Sequence, residues 1–293
     1  MNEITQHKKD RRKAVLFLAL AAALWSTAGL LIKLVDWNPV AISGTRSLIS
    51  GIVVLLYLRN FRIHWSKPLV FGSIAYSSTV ILFVVSNKLT TAANTILLQY
   101  TAPVWVAILS GWLLKEKIHR YDWVSIALTL CGMALFFKDS LHAGGMTGNL
   151  LAILSGVGLS LVVVCMRLQK DAFPVETVLL GNFLTFFVTL PVILASPMPS
   201  GKSIIGLILL GVFQLGFAYI LYAKAIPHVT ALEAILIPVI EPLLNPLWVF
   251  LFAGEKPGFW ALCGGSVVIL SVTLRSLYAN YVTGKNAPSE VSN

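Results

Sequence analysis

Apolar residues fall in ten runs along the chain, each near the roughly 20 residues that a membrane-crossing helix needs. They cover residues 14–35, 40–58, 68–87, 93–114, 122–138, 148–168, 174–194, 203–223, 230–253 and 258–279. Proline and glycine punctuate the gaps, at Asn38-Pro39, Ala143-Gly144-Gly145, Phe173-Pro174, Ser196-Pro197-Met198-Pro199 and Lys256-Pro257-Gly258, where turns are expected. The polar stretch Lys138–Thr147 divides the fifth run from the sixth, so the chain reads as two sets of five. The first run is too long for a cleaved signal peptide, and no clear cleavage site follows it.

One pattern occurs twice, 139 residues apart. Thr91-Ala92, Ile96-Leu97, Pro103 and Glu116-Lys117 return at the same spacing as Thr230-Ala231, Ile235-Leu236, Pro242 and Glu255-Lys256, giving seven identities in 27 positions. A repeat in so apolar a chain indicates two related halves packed together around a shared site. A weaker echo links Pro39-Val40 to Pro174-Val175.

Composition places that packing in lipid. The chain is 57% hydrophobic and 12% charged, against about 45–50% and 25% in soluble domains. The net charge of +10 does not point to nucleic acid, because the basic residues sit at the ends of apolar runs rather than in a groove with interleaved aromatics. With the N-terminus inside, 16 Lys and Arg fall on the inner side and 5 on the outer, with Arg46 inside a span. That is a strong positive-inside bias. Five spans per half is odd, so the second half enters the membrane upside down, with Glu116-Lys117 inside and Glu255-Lys256 outside. Cys131, Cys165 and Cys263 lie in apolar stretches without metal-ligand spacing and read as small core residues.

The order of these features resembles the drug/metabolite transporter superfamily, and more narrowly its ten-helix EamA-type exporters. The resemblance is carried by Pro39 with Arg46, Pro103 with Glu116, Glu241-Pro242 with Glu255, and the small residues Ser125, Gly132, Gly264 and Gly265. It covers nearly the whole chain outside its tails. The fifth run departs from the pattern, ending in Phe136-Phe137-Lys138 rather than a glycine-rich stretch. The resemblance implies export of amino acids and related metabolites or of toxic organic cations, and the chain is similar to the aromatic amino acid exporters.

The expected fold is an all-α integral membrane protein of ten transmembrane helices, arranged as two inverted five-helix repeats around a central cavity. A tail over residues 1–13 precedes the first repeat at 14–138. A linker at 139–147, the second repeat at 148–279 and a second tail at 280–293 follow. The expected place is the cell (inner) membrane, multi-pass, with both termini cytoplasmic.

Ionisable groups inside spans are costly in lipid unless they face protein or water. Arg46, roughly 9 Å from the outer end of its span, fits two roles: counter-ion for a substrate carboxylate, or a structural donor to backbone carbonyls. Glu241, mid-span, fits a site for a substrate ammonium, a proton relay, or a fixed hydrogen bond to a neighbouring helix. Glu233 lies nearer a helix end and reads as interfacial, while Glu116 and Glu255 read as ties between loops and helix termini. Pro238, Pro242 and Pro246 form a stripe in the ninth span. Each frees the carbonyl four residues earlier, as Pro103 frees that of Gln99 in the fourth. These prolines are the candidate hinges. Polar and aromatic positions add Trp25, Tyr76, Ser78, Asn94, Gln99, Trp105, Gln214 and Tyr219 as candidate substrate-binding residues. Asn94 and Gln99 lie about 140° apart on an ideal helix, as do Gln214 and Tyr219.

Enzyme signatures are missing: no GxSxG, HExxH, phosphate loop or cysteine-rich site occurs, and Gly-Lys-Ser at 201–203 lacks the upstream glycine of a nucleotide loop. The expected partners are a small-molecule substrate and the bilayer. No nucleic acid, cofactor, metal or ATPase subunit is expected. The competing readings are a multidrug exporter of organic cations and a membrane-embedded enzyme or lipid-binding protein.

Overall fold

The computed structural model describes residues 3–59, 63–140, 145–244 and 258–285. Among these the chain is helical throughout, with no strand. The elements are α1 (Glu3–Trp25), α2 (Ala28–Leu34), α3 (Pro39–Leu58), α4 (Lys67–Leu89), α5 (Ala92–Gln99), α6 (Ala102–Leu109), α7 (Arg120–Phe136), α8 (Met146–Leu168), α9 (Val175–Ala195), α10 (Gly201–Leu209), α11 (Ala218–Ala225), α12 (Ala231–Leu236) and α13 (Phe259–Lys285). A π-helical turn, Ser110–Leu114, follows α6, and a longer π segment, Leu210–Phe217, joins α10 to α11. Among the described residues, eight stretches are long and apolar enough to cross a membrane. The fifth predicted run forms α7, only 17 residues long. The ninth is described only over 230–244, so Pro246 and Glu255 lie outside the described residues.

The repeated motif becomes two matched helix starts. Thr91 caps α5 by accepting from the Asn94 amide at 3.0 Å. Thr230 caps α12 by accepting from the Glu233 amide at 3.2 Å, and Glu233 reaches back to the Thr230 amide at 3.1 Å. The second is a reciprocal capping box. Each helix is then interrupted before its proline. The first breaks at Tyr100 and Thr101, ahead of Pro103, and the second tightens into a 3₁₀ turn at Ile237–Val239, ahead of Pro242. Missing amide protons at the prolines account for both interruptions.

Helix ends elsewhere are tied in pairs. Lys88 at the end of α4 donates to the Val35 carbonyl that follows α2 at 2.7 Å, and Lys33 of α2 donates to the Thr90 carbonyl that follows α4 at 3.1 Å. Each cation thus answers the unpaired carbonyls and partial negative charge of the other helix's C-terminus.

The bundle packs α4 against α8 and α9, α3 against α9 and the long π segment, α1 against α11, and α7 against α13. Between α7 and α13 the approach is close. A Cβ on Gly264 would lie 2.3 Å from the Phe136 amide nitrogen and 2.4 Å from the Gly132 carbonyl oxygen. Small residues allow such crossings in membranes, where dispersion contacts replace the hydrophobic drive. Ser125 and Ser271 add a hydroxyl pair at 3.0 Å across the same contact. Gly264→Ala is therefore expected to lower stability by about 1–3 kcal/mol, as overpacking does. Thermal unfolding in detergent checks this, and an unchanged midpoint would refute the tight crossing.

The cysteine expectation holds only in part. Cys165 is buried, but Cys263 is half-buried and Cys131 is exposed. The face that α7 turns to α13 runs through Ser125, Thr129 and Gly132, all buried. Cys131 precedes Gly132 by one position, about 100° around the helix, and so points off that face.

Candidate functional site

Most of the predicted polar residues converge on one internal cavity between the helices. The end of α1 contributes Trp25, α3 Arg46, and α4 Thr79 and Phe83. Gln99 and Tyr100 come from the break between α5 and α6, Gln214 from the long π segment, and Tyr219 and Tyr222 from α11. Pro238 and Glu241 close it from the ninth span. The volume open to a water-sized sphere is about 60 Å³. That holds a few waters, well short of the 300–1,000 Å³ or so typical of ligand pockets. The cavity in this conformation is too small to enclose a molecule of that size.

Opposite charges face this cavity without neutralising each other. Arg46 is 1% exposed, and its guanidinium donates to Gln214 Oε1 at 3.0 Å. Its Nε has no hydrogen-bond partner. Glu241 accepts from the Tyr100 hydroxyl at 2.9 Å. Among the described residues no ion pair includes either group. Beside Arg46 the donors are in surplus. Trp25 Nε1 and the Tyr222 hydroxyl are buried and likewise lack hydrogen-bond partners. Buried donors are almost always paired, so three unpaired ones lining one cavity mark a place built for an acceptor.

Aromatic rings hold these groups in place. The Trp25 ring lies 4.9 Å from Tyr219 and 5.2 Å from Tyr222, and Tyr76 lies 4.9 Å from Tyr219 on its other side. Tyr76 is fully buried one layer behind the cavity wall, its hydroxyl donating to Asn182 Oδ1 at 3.3 Å. Gln99 is fixed by its bond to Ser155 Oγ at 2.6 Å. The carbonyl that Pro103 frees on Gln99 lies against α8, where a Cβ on Gly156 would come within 2.6 Å of it. Only a glycine lets α8 run that close. The carbonyl that Pro242 frees, on Pro238, lies 3.0 Å from the Tyr100 hydroxyl. One side chain thus joins the breaks of the two repeat-related helices.

Three candidates lie elsewhere. Ser78 is exposed, and its neighbour Thr79 takes the cavity face instead. Asn94 is 4% exposed and bonded to Thr90 Oγ1 and Asn149 Oδ1, both at 3.2 Å, where α5 starts against α8. Trp105, 37% exposed, lies past the break on the outer face of α6. On one continuous helix Asn94, Thr101 and Trp105 would share a stripe, and the break at Tyr100 and Thr101 resets that phase. Conversely, Gln214 and Tyr219 share the cavity although ideal geometry separates them. The π segment between them bonds i to i+5, which brings residues five apart toward one face. Thr79, Tyr100 and Tyr222 were not singled out from the sequence. Tyr222 was accessible to it, since it lies one turn after Tyr219 on the same face.

A polar network closes one end of the bundle. Arg11 of α1 pairs with Glu233 of α12, and Arg275 of α13 pairs with Asp122 of α7 at 2.9 Å and reaches Glu233 at 3.8 Å. Glu116 accepts from Arg167 at 3.0 Å and from the Ala231 amide at 3.0 Å, tying a loop to the start of α12 as expected. Glu233 lies about 12 Å along the ninth span from Glu241, so the network sits beyond one end of the cavity.

The profile of the EamA-like transporter family matches residues 12–138 and again 146–277. A Bacillus subtilis (strain 168) protein named as the uncharacterized transporter YdfC is 27% identical over 287 residues, covering 92% of this chain and 94% of its own. An uncharacterized transporter of Archaeoglobus fulgidus is 23% identical over 259 residues, covering 88% of this chain and 94% of its own. A solved crystal structure superimposes with a TM-score of 0.79 at 20% identity, covering 92% of this chain and 99% of that one, a likeness of fold.

Proposed function

This chain belongs to the EamA-like transporter family, and from that premise we propose that it exports amino acids, aromatic or other neutral ones, by alternating access. The carrying observation is the unpaired buried cation and buried carboxylate that face one cavity, Arg46 and Glu241. An α-amino acid presents a carboxylate and an ammonium. In this reading Arg46, with the Trp25 and Tyr222 donors, takes the carboxylate. Glu241 takes the ammonium, and the Trp25–Tyr219–Tyr222 cluster contacts the side chain. Their mutual neutralisation by a zwitterion removes the cost of leaving both charges buried.

The architecture proposed for this activity is ten spans in two inverted halves, 14–138 and 148–279, rocking about the cavity, with Pro103, Pro238 and Pro242 at the bends. Two observations support it. The family profile matches twice, once in each half. The helix pairings also map onto themselves when the halves are exchanged. α4 on α8 exchanges with α11 on α1, α4 on α9 with the long π segment on α3, while α3 on α9 and α7 on α13 each exchange with themselves. The positive-inside bias supports a topology in which the Glu233 network and both termini are cytoplasmic.

A second reading, export of organic cations, is favoured by a carboxylate beside three aromatic rings. Arg46 in the same cavity opposes it by repulsion. Liposomes containing only this protein separate the two. Radiolabelled phenylalanine, tryptophan and alanine are expected to cross, with Glu241→Gln lowering flux about ten-fold or more. Absence of flux for every amino acid, alongside flux of a quaternary ammonium that Glu241→Gln abolishes, would replace the first reading by the second.

A further inference from the structure

We propose that Gln214 is a neutral stand-in for the substrate carboxylate, and that by competing for Arg46 it restricts the cavity to substrates bearing a free carboxylate. This rests on the amino-acid reading of the cavity and assigns the residue that enforces it.

The observation is one acceptor offered to many donors. A guanidinium carries five N–H donors. That of Arg46, 1% exposed, makes one hydrogen bond, from Nη1 to Gln214 Oε1 at 3.0 Å. Its Nε has no partner, and neither has Trp25 Nε1 or the Tyr222 hydroxyl in the same cavity. Among the described residues Glu241 is the one carboxylate lining that cavity, and it makes no ion pair with Arg46. Gln214 therefore supplies an uncharged carbonyl at the place where the buried cation calls for an anion.

The backbone holds Gln214 there. A Cβ on Gly211 would lie 2.8 Å from the Arg46 carbonyl oxygen and 2.5 Å from Ile49 Cβ, and one on Gly216 would lie 3.0 Å from Val53 Cγ1. The π segment thus rests on α3 on both sides of Gln214, itself 5% exposed. Rotation of the Gln214 side chain exchanges its bond to Arg46 without shifting either helix.

An incoming group takes Arg46 only if it is a better acceptor than an amide carbonyl. A carboxylate is, because it brings a negative charge and two oxygens to a planar fork of donors. An ester or amide carbonyl gains nothing over Gln214. An amine without a carboxylate offers no acceptor and meets the Arg46 charge unopposed. Discrimination is a difference of affinities, and Gln214 sets its threshold from inside the site.

Phenethylamine is phenylalanine without its carboxylate, and equilibrium binding of the two radiolabelled ligands to the purified full chain tests the assignment. Wild type is expected to prefer phenylalanine about 100-fold. Gln214→Glu tethers a carboxylate to Arg46. It is expected to weaken phenylalanine about 100-fold while phenethylamine binds at least as tightly as to wild type, so that the preference is lost. Gln214→Leu removes the competitor and is expected to bind phenylalanine about five-fold more tightly, a gain that a disrupted cavity would not give. Equal losses of both ligands in Gln214→Glu, or weaker phenylalanine binding in Gln214→Leu, would make Gln214 a structural residue and overturn the assignment. Wild-type affinity for phenylalanine in Gln214→Glu overturns it as well and leaves the amino-acid reading intact. A wild type that binds phenethylamine in preference to phenylalanine removes that reading, and the assignment with it.

Discussion

Arg46→Gln is expected to weaken binding of a neutral amino acid about 100-fold without lowering the stability of the protein. Truncating one partner of a buried, hydrogen-bonded charge pair costs about 2–5 kcal/mol, and about 2.8 kcal/mol is 100-fold in affinity. The guanidinium is 1% exposed, makes one hydrogen bond, to Gln214, and leaves its Nε unpaired. A buried cation held so sparsely stabilises the empty protein little or not at all, because its desolvation is not repaid. Glutamine keeps hydrogen-bonding capacity toward Gln214 and removes the charge. Binding of radiolabelled phenylalanine to purified protein, beside thermal unfolding without substrate, separates a binding role from a structural one. Unchanged affinity with a lowered unfolding temperature would make Arg46 a structural residue and undo the carboxylate site.

Arg275→Met is expected to destabilise the protein by about 3 kcal/mol and to open the end of the bundle that the ionic network ties together. Asp122 and Glu233 are 2% and 6% exposed, and removing one member of such a buried pair strands the other charge. Glu233 keeps Arg11, but Asp122 loses the Arg275 guanidinium and keeps the His119 amide at 2.8 Å and, farther off, the His119 ring at 3.7 Å. The accompanying change Asp122→Asn is expected to recover most of the loss, since it removes the stranded charge, and the coupling energy of the two is the measure of the pair. In a variant with a cysteine at Ile235, on the cavity side of the network, a membrane-impermeant thiol reagent is expected to react faster once Arg275 is gone. Equal rates would show that the network does not govern access. Independent, additive effects of the two substitutions would show that the pair contributes only what an exposed one does.

How legible the site was in the sequence depends on the kind of signal. Arg46 and Glu241 were legible because a charge in an apolar run is rare enough to need a reason wherever the helix turns. The helix interruptions were legible because proline's missing proton acts locally, and the Pro238 carbonyl does find an unusual donor in Tyr100. Ser78 and Thr79 were not distinguishable, since adjacent residues differ only by about 100° of rotation and no amphipathic pattern orients a helix surrounded by lipid and protein. Asn94 reads as a cavity residue only if α5 and α6 are continuous. Tyr100 looks like any aromatic in a span until the ninth span is placed beside it.

The sequence by itself determined the solvent, the motif that recurs after 139 residues, the local interruptions ahead of Pro103 and Pro242, and the family. These follow from composition, from local hydrogen bonding or from spacing along the chain, and none requires knowing which helix lies next to which. The tertiary structure alone decided that Gln214 and Tyr219 share a face, that Thr79 rather than Ser78 meets the cavity, and that Arg46 and Glu241 face it together without pairing. It also decided that one tyrosine bridges both breaks. A π segment and a helix break shift rotational phase without leaving a distinctive residue behind, and contacts between spans more than 100 residues apart, such as Tyr100 with Glu241, exist only once the bundle has closed.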